Sequence, residues 1–560
     1  MNRASLDRPA AEYALIAVAF APLLLGTANE IQQVDPAQYA EVARRVVQSG
    51  QLANMHDAFG PYRDKPPITF WLIALCYRLF GETSFSVRLP SLVLGAALLW
   101  ATWRIGAELW DRRTGRISAA LLGASVAFQL MVADPKIDMI VTAWMAWTVY
   151  FLLLGRRKGW AMYLGWFFAA LGVLTKGPIG LVAPALGVLP EALRRRWGDA
   201  EGDRGLWSRL SRFKPFTGPL LLLALVVPWL LQNQREFGTE SGPMFLLWEQ
   251  SFGRLFIRSY RNDTTPLFFL HTALWAFLPF VPVLLFELGR RFLAWKRAGF
   301  RLPPDETRIV LWWLFLPLIG ISASSYKLPQ YLYWLAPPAA LIAGRAITRW
   351  VESGGERPVK VLGLLQRGLT LLVFLLIAVV LWFAFPPTVP ARVLWLFAVA
   401  AINGGGWALA RRMAPDAQLA ALCVFTLAGF HVFFQAHLHP SLLGFQPDRE
   451  FGELAREVDP QGQVLPFVRA GTTNAAAFYA RRDITEVDPP ALQGLVKEGK
   501  SRVAVVAKEA LPEVEAAGLT VQPLLELPSY PTSRPRGSFL NARTRSQVVQ
   551  QLVLVQVAPR

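Results

Sequence analysis

The chain has 560 residues, with 57 Lys and Arg against 39 Asp and Glu, a formal net charge of +18. Hydrophobic residues make up 54% and charged residues 17%, and there are 21 Trp, whereas a soluble chain carries about a quarter charged residues. These figures exclude a disordered, collagenous or coiled-coil chain, argue against a nucleic-acid binder, and make lipid the main solvent. The two cysteines, Cys76 and Cys423, exclude a disulfide framework and a cysteine-based zinc site.

In chain order, apolar runs predict thirteen spans: 12–28, 86–108, 117–133, 139–155, 160–175, 178–193, 216–232, 266–289, 309–323, 328–344, 368–385, 391–410 and 417–436. Short-loop Lys and Arg orient them. Segments 1–12, 111–116, 156–158, 194–214, 290–308, 345–367 and 411–412 hold 28 Lys and Arg against 10 Asp and Glu, and all seven are expected in the cytoplasm. That puts the N-terminus inside and the C-terminus outside. Residues 1–28 also fit a signal peptide, but losing that span breaks the alternation.

Residues 29–85 form one large external loop. Tyr39, Val42, Val46 and Val47 share a face at helical spacing, so the loop is expected to be ordered. Its apolar stretch 66–80 is short and contains Arg78, and is read as a helix at or beneath the outer interface, not as a span. Residues 441–560 carry 14 Lys and Arg against 13 Asp and Glu. There, 501–509 reads as a buried strand and 490–498 and 511–517 as short helices. The expected division is a membrane unit, 1–440, and a small external α/β domain, 441–560.

The external ionisable clusters are the functional candidates. Asp35, followed by Pro36, is also a good helix N-cap, and capping alone would explain it. In Tyr62-Arg63-Asp64-Lys65-Pro66-Pro67, Lys65 precedes a helix and could hold a phosphate, or anchor the chain among headgroups. In Asp134-Pro135-Lys136-Ile137-Asp138, Asp138 enters an apolar run and needs a partner or a task. Tyr326-Lys327 and Lys176 run against the charge bias, which suggests bound anions, with snorkelling as the plain alternative. Arg254, Arg258 and Arg261 form a basic, aromatic-rich stretch suited to headgroups or to solvent. His56 with Asp57 or Asp64 is a weak metal candidate, and the Asn403-Gly404-Gly405-Gly406 run reads as helix packing. External carboxylates, phosphate-binding lysines and a membrane body fit transfer of a group from a lipid-phosphate carrier.

The stretches YRDKPPITFWL, LFGETSFSVRLPS, DPKIDM, TKGP and SSYKLPQY, with Asp35 after the first span, resemble the GT-C glycosyltransferases. They look like the branch of bacterial lipid A 4-amino-4-deoxy-L-arabinose transferases, which is related to protein O-mannosyltransferases. The likeness runs over about residues 10 to 345. It implies a GT-C fold in the bacterial inner membrane with a periplasmic active site, and a monomer. It implies transfer of the amino sugar from undecaprenyl phosphate to lipid A phosphate, and hence polymyxin resistance. It assigns the two acidic positions to Asp35 and Asp138 and the carrier-phosphate lysine to Lys65, and puts Tyr326 and Lys327 in a further external motif. Arg63, Tyr62, Arg254 and Arg258 are expected to assist binding; a divalent metal, with Asp64 and His56 as ligands, stays open. The alternatives are another polyprenyl-phosphate glycosyltransferase, a lipid transporter, and a structural membrane protein with a binding ectodomain.

Overall fold

The computed structural model describes residues 9–193, 206–253, 265–299, 307–533 and 535–560. Most of these are helical. Among them, six helices are long and apolar enough to cross a bilayer, seven if one bent pair counts as a span. Four apolar helices are shorter: Ile68–Phe80, Ala161–Lys176, Ile179–Glu191 and Thr307–Ala323. The chain is a multi-pass membrane protein.

The bent pair is Arg112–Ala124 and Val126–Ala133, which meet at 62°. The sequence predicts a single span there, because the apolar run is unbroken. Ser125 makes the break: its backbone is extended, its hydroxyl accepts from Phe128 N, and it donates to Leu122 O. The side chain thus satisfies backbone groups that a bend leaves open.

The main core gathers helices Ser84–Leu109, Arg112–Ala124, Ile137–Leu154, Ala336–Glu352 and Pro415–Phe433. A second core gathers residues of the segment 29–85. There, helix Asp35–Ser49 buries Tyr39, Val42 and Val46 on the expected face. Helix Ile68–Phe80 packs Phe70, Ile73 and Tyr77 against it and leaves Leu75, Leu79 and Phe80 exposed. At 1.5 Å per residue its 13 residues reach about 20 Å, too short for a hydrocarbon core of about 30 Å.

Near the C-terminus, five strands form a mixed sheet, in order β4-β3-β5-β7-β6 after the small hairpin β1 (His56–Asp57) and β2 (Gly60–Pro61). β3 (Val464–Val468) runs parallel to β4 (Asp483–Glu486) and to β5 (Val503–Ala507). β7 (Gln550–Pro559) is antiparallel to β5 and to β6 (Leu519–Ser529). β5 is buried at every residue, as its apolar run requires. Helices Pro489–Lys497 and Leu511–Ala516 match the two expected ones. The sheet has its own core. It is tied to the membrane body through Tyr479, whose hydroxyl accepts from Ile31 N at 2.9 Å and lies 3.1 Å from Ser84 Oγ.

Candidate active site

The segment 134–138 joins the helix Val126–Ala133 to the helix Ile137–Leu154 and brings charges from distant parts of the chain together. Lys136 Nζ lies 3.2 Å from Asp134 and 3.8 Å from Asp35. Asp134, outweighing burial, pushes the Lys136 ammonium above the usual lysine range, with Asp35 adding to it. Asp35 opens the helix Asp35–Ser49, makes no side-chain hydrogen bond to its own helix end, and keeps its carboxylate 40% exposed. Its carboxylate faces Lys136, so capping does not account for it.

Asp138, one turn further on, has a different partner. Its carboxylate is bonded to Lys176 and accepts from Trp334 Nε1 at 2.7 Å. It is buried, and Lys176 nearly so. The Lys176 ammonium also sits 5.1 Å from the Tyr331 ring and 4.8 Å from the Trp334 ring. The geometry therefore joins Asp35 with Asp134, through Lys136, and joins Asp138 with Lys176. Sequence reasoning passed over Asp134 because its neighbour Asp138 sits deeper in the apolar run. One oxygen of Asp134 is buried without a hydrogen-bond partner among the described residues, while the residue lines the second of the cavities below.

Two cavities flank this segment. The first, about 280 Å³, has an apolar body lined by Ile179, Val182, Leu186, Leu246, Pro317 and Ile321, and a polar end with Asp64, Lys65, Lys176 and Gln250. Lys65 Nζ is 3.1 Å from Asp64 O and 3.4 Å from Gln250 Oε1. The second, about 220 Å³, is lined by Gln32, Asp134, Lys136, Trp275, Gln330 and Tyr333.

The other predicted positions scatter. Tyr62 is buried, edge-on to Phe70 at 5.2 Å, and shapes the loop from within. Arg63 lies over the Phe245 ring at 4.8 Å. Tyr326 packs against the main core and Lys327 is buried, and neither lines the first cavity, where Ser324, Tyr331 and Trp334 stand instead. Arg254, Arg258 and Arg261 lie outside the described residues. Asp57 accepts from Gln38 Nε2 and from Phe59 N, and no group of three or more His, Cys, Asp or Glu suited to a metal occurs among the described residues.

Arg88 was not singled out from the sequence. It is buried without a carboxylate, and donates to the carbonyls of Asn29 and Glu30 at 2.6 Å and of Ser84 and Ala133 at 3.2 Å. One guanidinium thus clamps the chain just ahead of Asp134 to the chain five residues ahead of Asp35.

The chain is a polytopic helical body with charged side chains lining two cavities, one of them apolar over most of its wall with Lys65 and Lys176 at its polar end. Its fold is similar to that of ArnT from Cupriavidus metallidurans in its undecaprenyl phosphate-bound crystal structure, with a TM-score of 0.74 at 19% identity over 97% of both chains. The fold is therefore that of ArnT. Residues 64–231 match the family of dolichyl-phosphate-mannose-protein mannosyltransferases. Curated undecaprenyl phosphate-alpha-4-amino-4-deoxy-L-arabinose arabinosyl transferases are also similar. That of Pseudomonas savastanoi is 28% identical over 60% of this chain and 61% of its own length. That of Pseudomonas paraeruginosa is 30% identical over 60% and 59%, and that of Aeromonas hydrophila 27% over 70% and 71%. The chain thus spans about three fifths of the first two relatives. The resemblance to the aminoarabinose transferase branch stands on both sequence and fold.

Proposed function

We propose that the protein transfers 4-amino-4-deoxy-L-arabinose from undecaprenyl phosphate to a lipid A phosphate at the outer face of the bacterial inner membrane. The observation that carries this reading is the first cavity: an apolar channel that ends on Lys65 and Lys176 suits an isoprenoid chain with a phosphate at its head. The proposed topology has thirteen spans, a cytoplasmic N-terminus, and the sheet of residues 441–560 in the periplasm.

In the reaction, the bond from the sugar's anomeric carbon to the carrier phosphate oxygen breaks, and a bond to the acceptor phosphate oxygen forms. Lys65 and Lys176 neutralise the departing phosphate. An acceptor phosphate is already ionised, so no base has to deprotonate it. Asp35 and Asp134 position the reactants, and the sugar's ammonium is a suitable donor to the Asp134 carboxylate in the wall of the second cavity. Asp138 acts at one remove, by fixing Lys176.

The matched mannosyltransferase family favours a second reading, with a protein as acceptor. Mass spectrometry separates the two. Lipid A from cells carrying the chain should gain an aminopentose mass on phosphate, and cells with Asp35→Asn should not. A mass gain on protein instead, or none, overturns the proposal; full transfer by Asp35→Asn overturns the role of that residue.

A further inference from the structure

A third cavity, about 290 Å³, lies away from the two described above, at the seam between the first external loop and the C-terminal sheet unit. Its walls carry Arg449 and Arg456 from the helix Asp448–Val458, Arg481 just past the helix Asn474–Ala480, and Phe85 at the start of the helix Ser84–Leu109. Two carboxylates, Glu82 and Glu453, share the lining, so three guanidiniums face two acids.

The acids do not use up the arginines. Arg449 pairs with Glu453 at 3.2 Å in a half-exposed one-turn pair, an arrangement that stabilises little. Arg481 approaches Glu82 only to 3.7 Å, beyond hydrogen-bond distance. Arg481 also has a left-handed backbone, at φ 54°, which L side chains adopt at a cost. Arg456 has no carboxylate partner among the described residues, and its Nε is buried without a hydrogen bond. A buried guanidinium N–H without an acceptor is costly, and an anion removes the cost.

The cavity also adjoins an exposed apolar edge. Phe85 on its wall meets Phe80 edge-on at 6.4 Å. Leu75, Leu79 and Phe80 lie on one exposed face of the helix Ile68–Phe80, with Leu79 and Phe80 64% and 55% exposed. Acyl chains against that face leave a headgroup level with the arginines. Planar guanidiniums pair bidentately with phosphate oxygens.

We propose that this cleft binds the phosphate of a membrane lipid, its acyl chains lying along Leu75, Leu79 and Phe80, as a site separate from the carrier cavity. The ligand chemistry is a phosphate ester, and its source is the outer leaflet around the protein.

The test uses the full-length protein in detergent micelles, with a fluorescent short-chain phosphatidic acid and inorganic phosphate as probes. Arg456→Gln with Arg481→Gln should weaken phosphatidic acid binding at least tenfold, with an unchanged melting temperature as the folding control. Lys65→Gln should leave this binding component in place, because Lys65 lines the other cavity. Arg481→Lys should recover part of the affinity. Leu79→Ser with Phe80→Ser should weaken phosphatidic acid but not phosphate. Binding unaffected by the double arginine change, or abolished by Lys65→Gln, overturns the site. Equal affinity for inorganic phosphate and phosphatidic acid overturns the lipid source.

Discussion

Asp35 and Asp138 are both acidic residues in the first turn of a helix, and their surroundings give them opposite energetics. Asp138 and Lys176 are both buried and bonded to each other, with Trp334 as a further donor. Removing one charge leaves the other buried and unpaired, at a cost of about 3 kcal/mol or more. Asp35 is 40% exposed and its lysine is 3.8 Å away, so its charge contributes little to stability. Asp138→Asn should therefore lower the melting temperature clearly in detergent, and Asp138→Leu with Lys176→Met should recover it. Asp35→Asn should stay within about 0.5 kcal/mol of the parent. Thermal melts of the four proteins check this; equal losses for the two Asp→Asn changes overturn the distinction.

At the scale of elements, packing of the membrane body turns on a few glycines where helices touch. A Cβ on Gly115 would lie 2.2 Å from the Trp103 carbonyl oxygen, and one on Gly106 would lie 2.6 Å from Gly115 Cα. The helices Ser84–Leu109 and Arg112–Ala124 thus meet backbone to backbone, the close approach that small residues permit in membranes. The glycine run at 404–406 divides differently. A Cβ on Gly406 would strike the Phe425 ring at 2.1 Å, whereas Gly404 and Gly405 face open space. Gly115→Ala is expected to destabilise by at least about 2 kcal/mol, and Gly405→Ala to be neutral or to stabilise by up to about 1 kcal/mol. Denaturation of both variants in the same detergent checks the contrast, and equal effects refute it. Composition alone marks such a run as packing; only the neighbouring helix says which glycine packs. The same holds for the bend at Ser125, hidden in a continuous apolar run, and for the pairing of Asp138 with Lys176, 38 residues apart and brought together by helix packing. Helix Asp35–Ser49 and strand β5 were legible because periodicity and a dense apolar run are local signals. β6 and β7 were not, since β6 alternates weakly and finds its core only by pairing.

At the scale of the whole molecule, residues of the C-terminal part of the chain pack on the segment that leads into Asp35. Tyr479 holds Ile31 N, Gln446 Oε1 accepts from Gln33 N at 2.8 Å, and Gln33 Nε2 donates to Asp448. Beside them sits Glu30, with its carbonyl in the Arg88 clamp and its side chain facing the helix Asp448–Val458. Burial, followed by the nearby Glu450, pushes the Glu30 carboxyl up to about 7; Asp448 and Glu453 act in the same direction and Arg449 against it. A carboxyl whose folded pKa exceeds its unfolded value holds its proton in the folded chain after the unfolded chain has released it. Stability at this seam is then greatest below the usual carboxylate range, near 4.5, and falls as pH rises toward 7. Glu30→Gln keeps the neutral shape and removes the titration. It is expected to melt higher than the parent at pH 8 and like it at pH 5. Melting temperatures across that range check the sign: a variant that follows the parent in parallel would show that Glu30 does not titrate there, and one that loses stability at pH 8 would show that its ionised form is the one the seam holds.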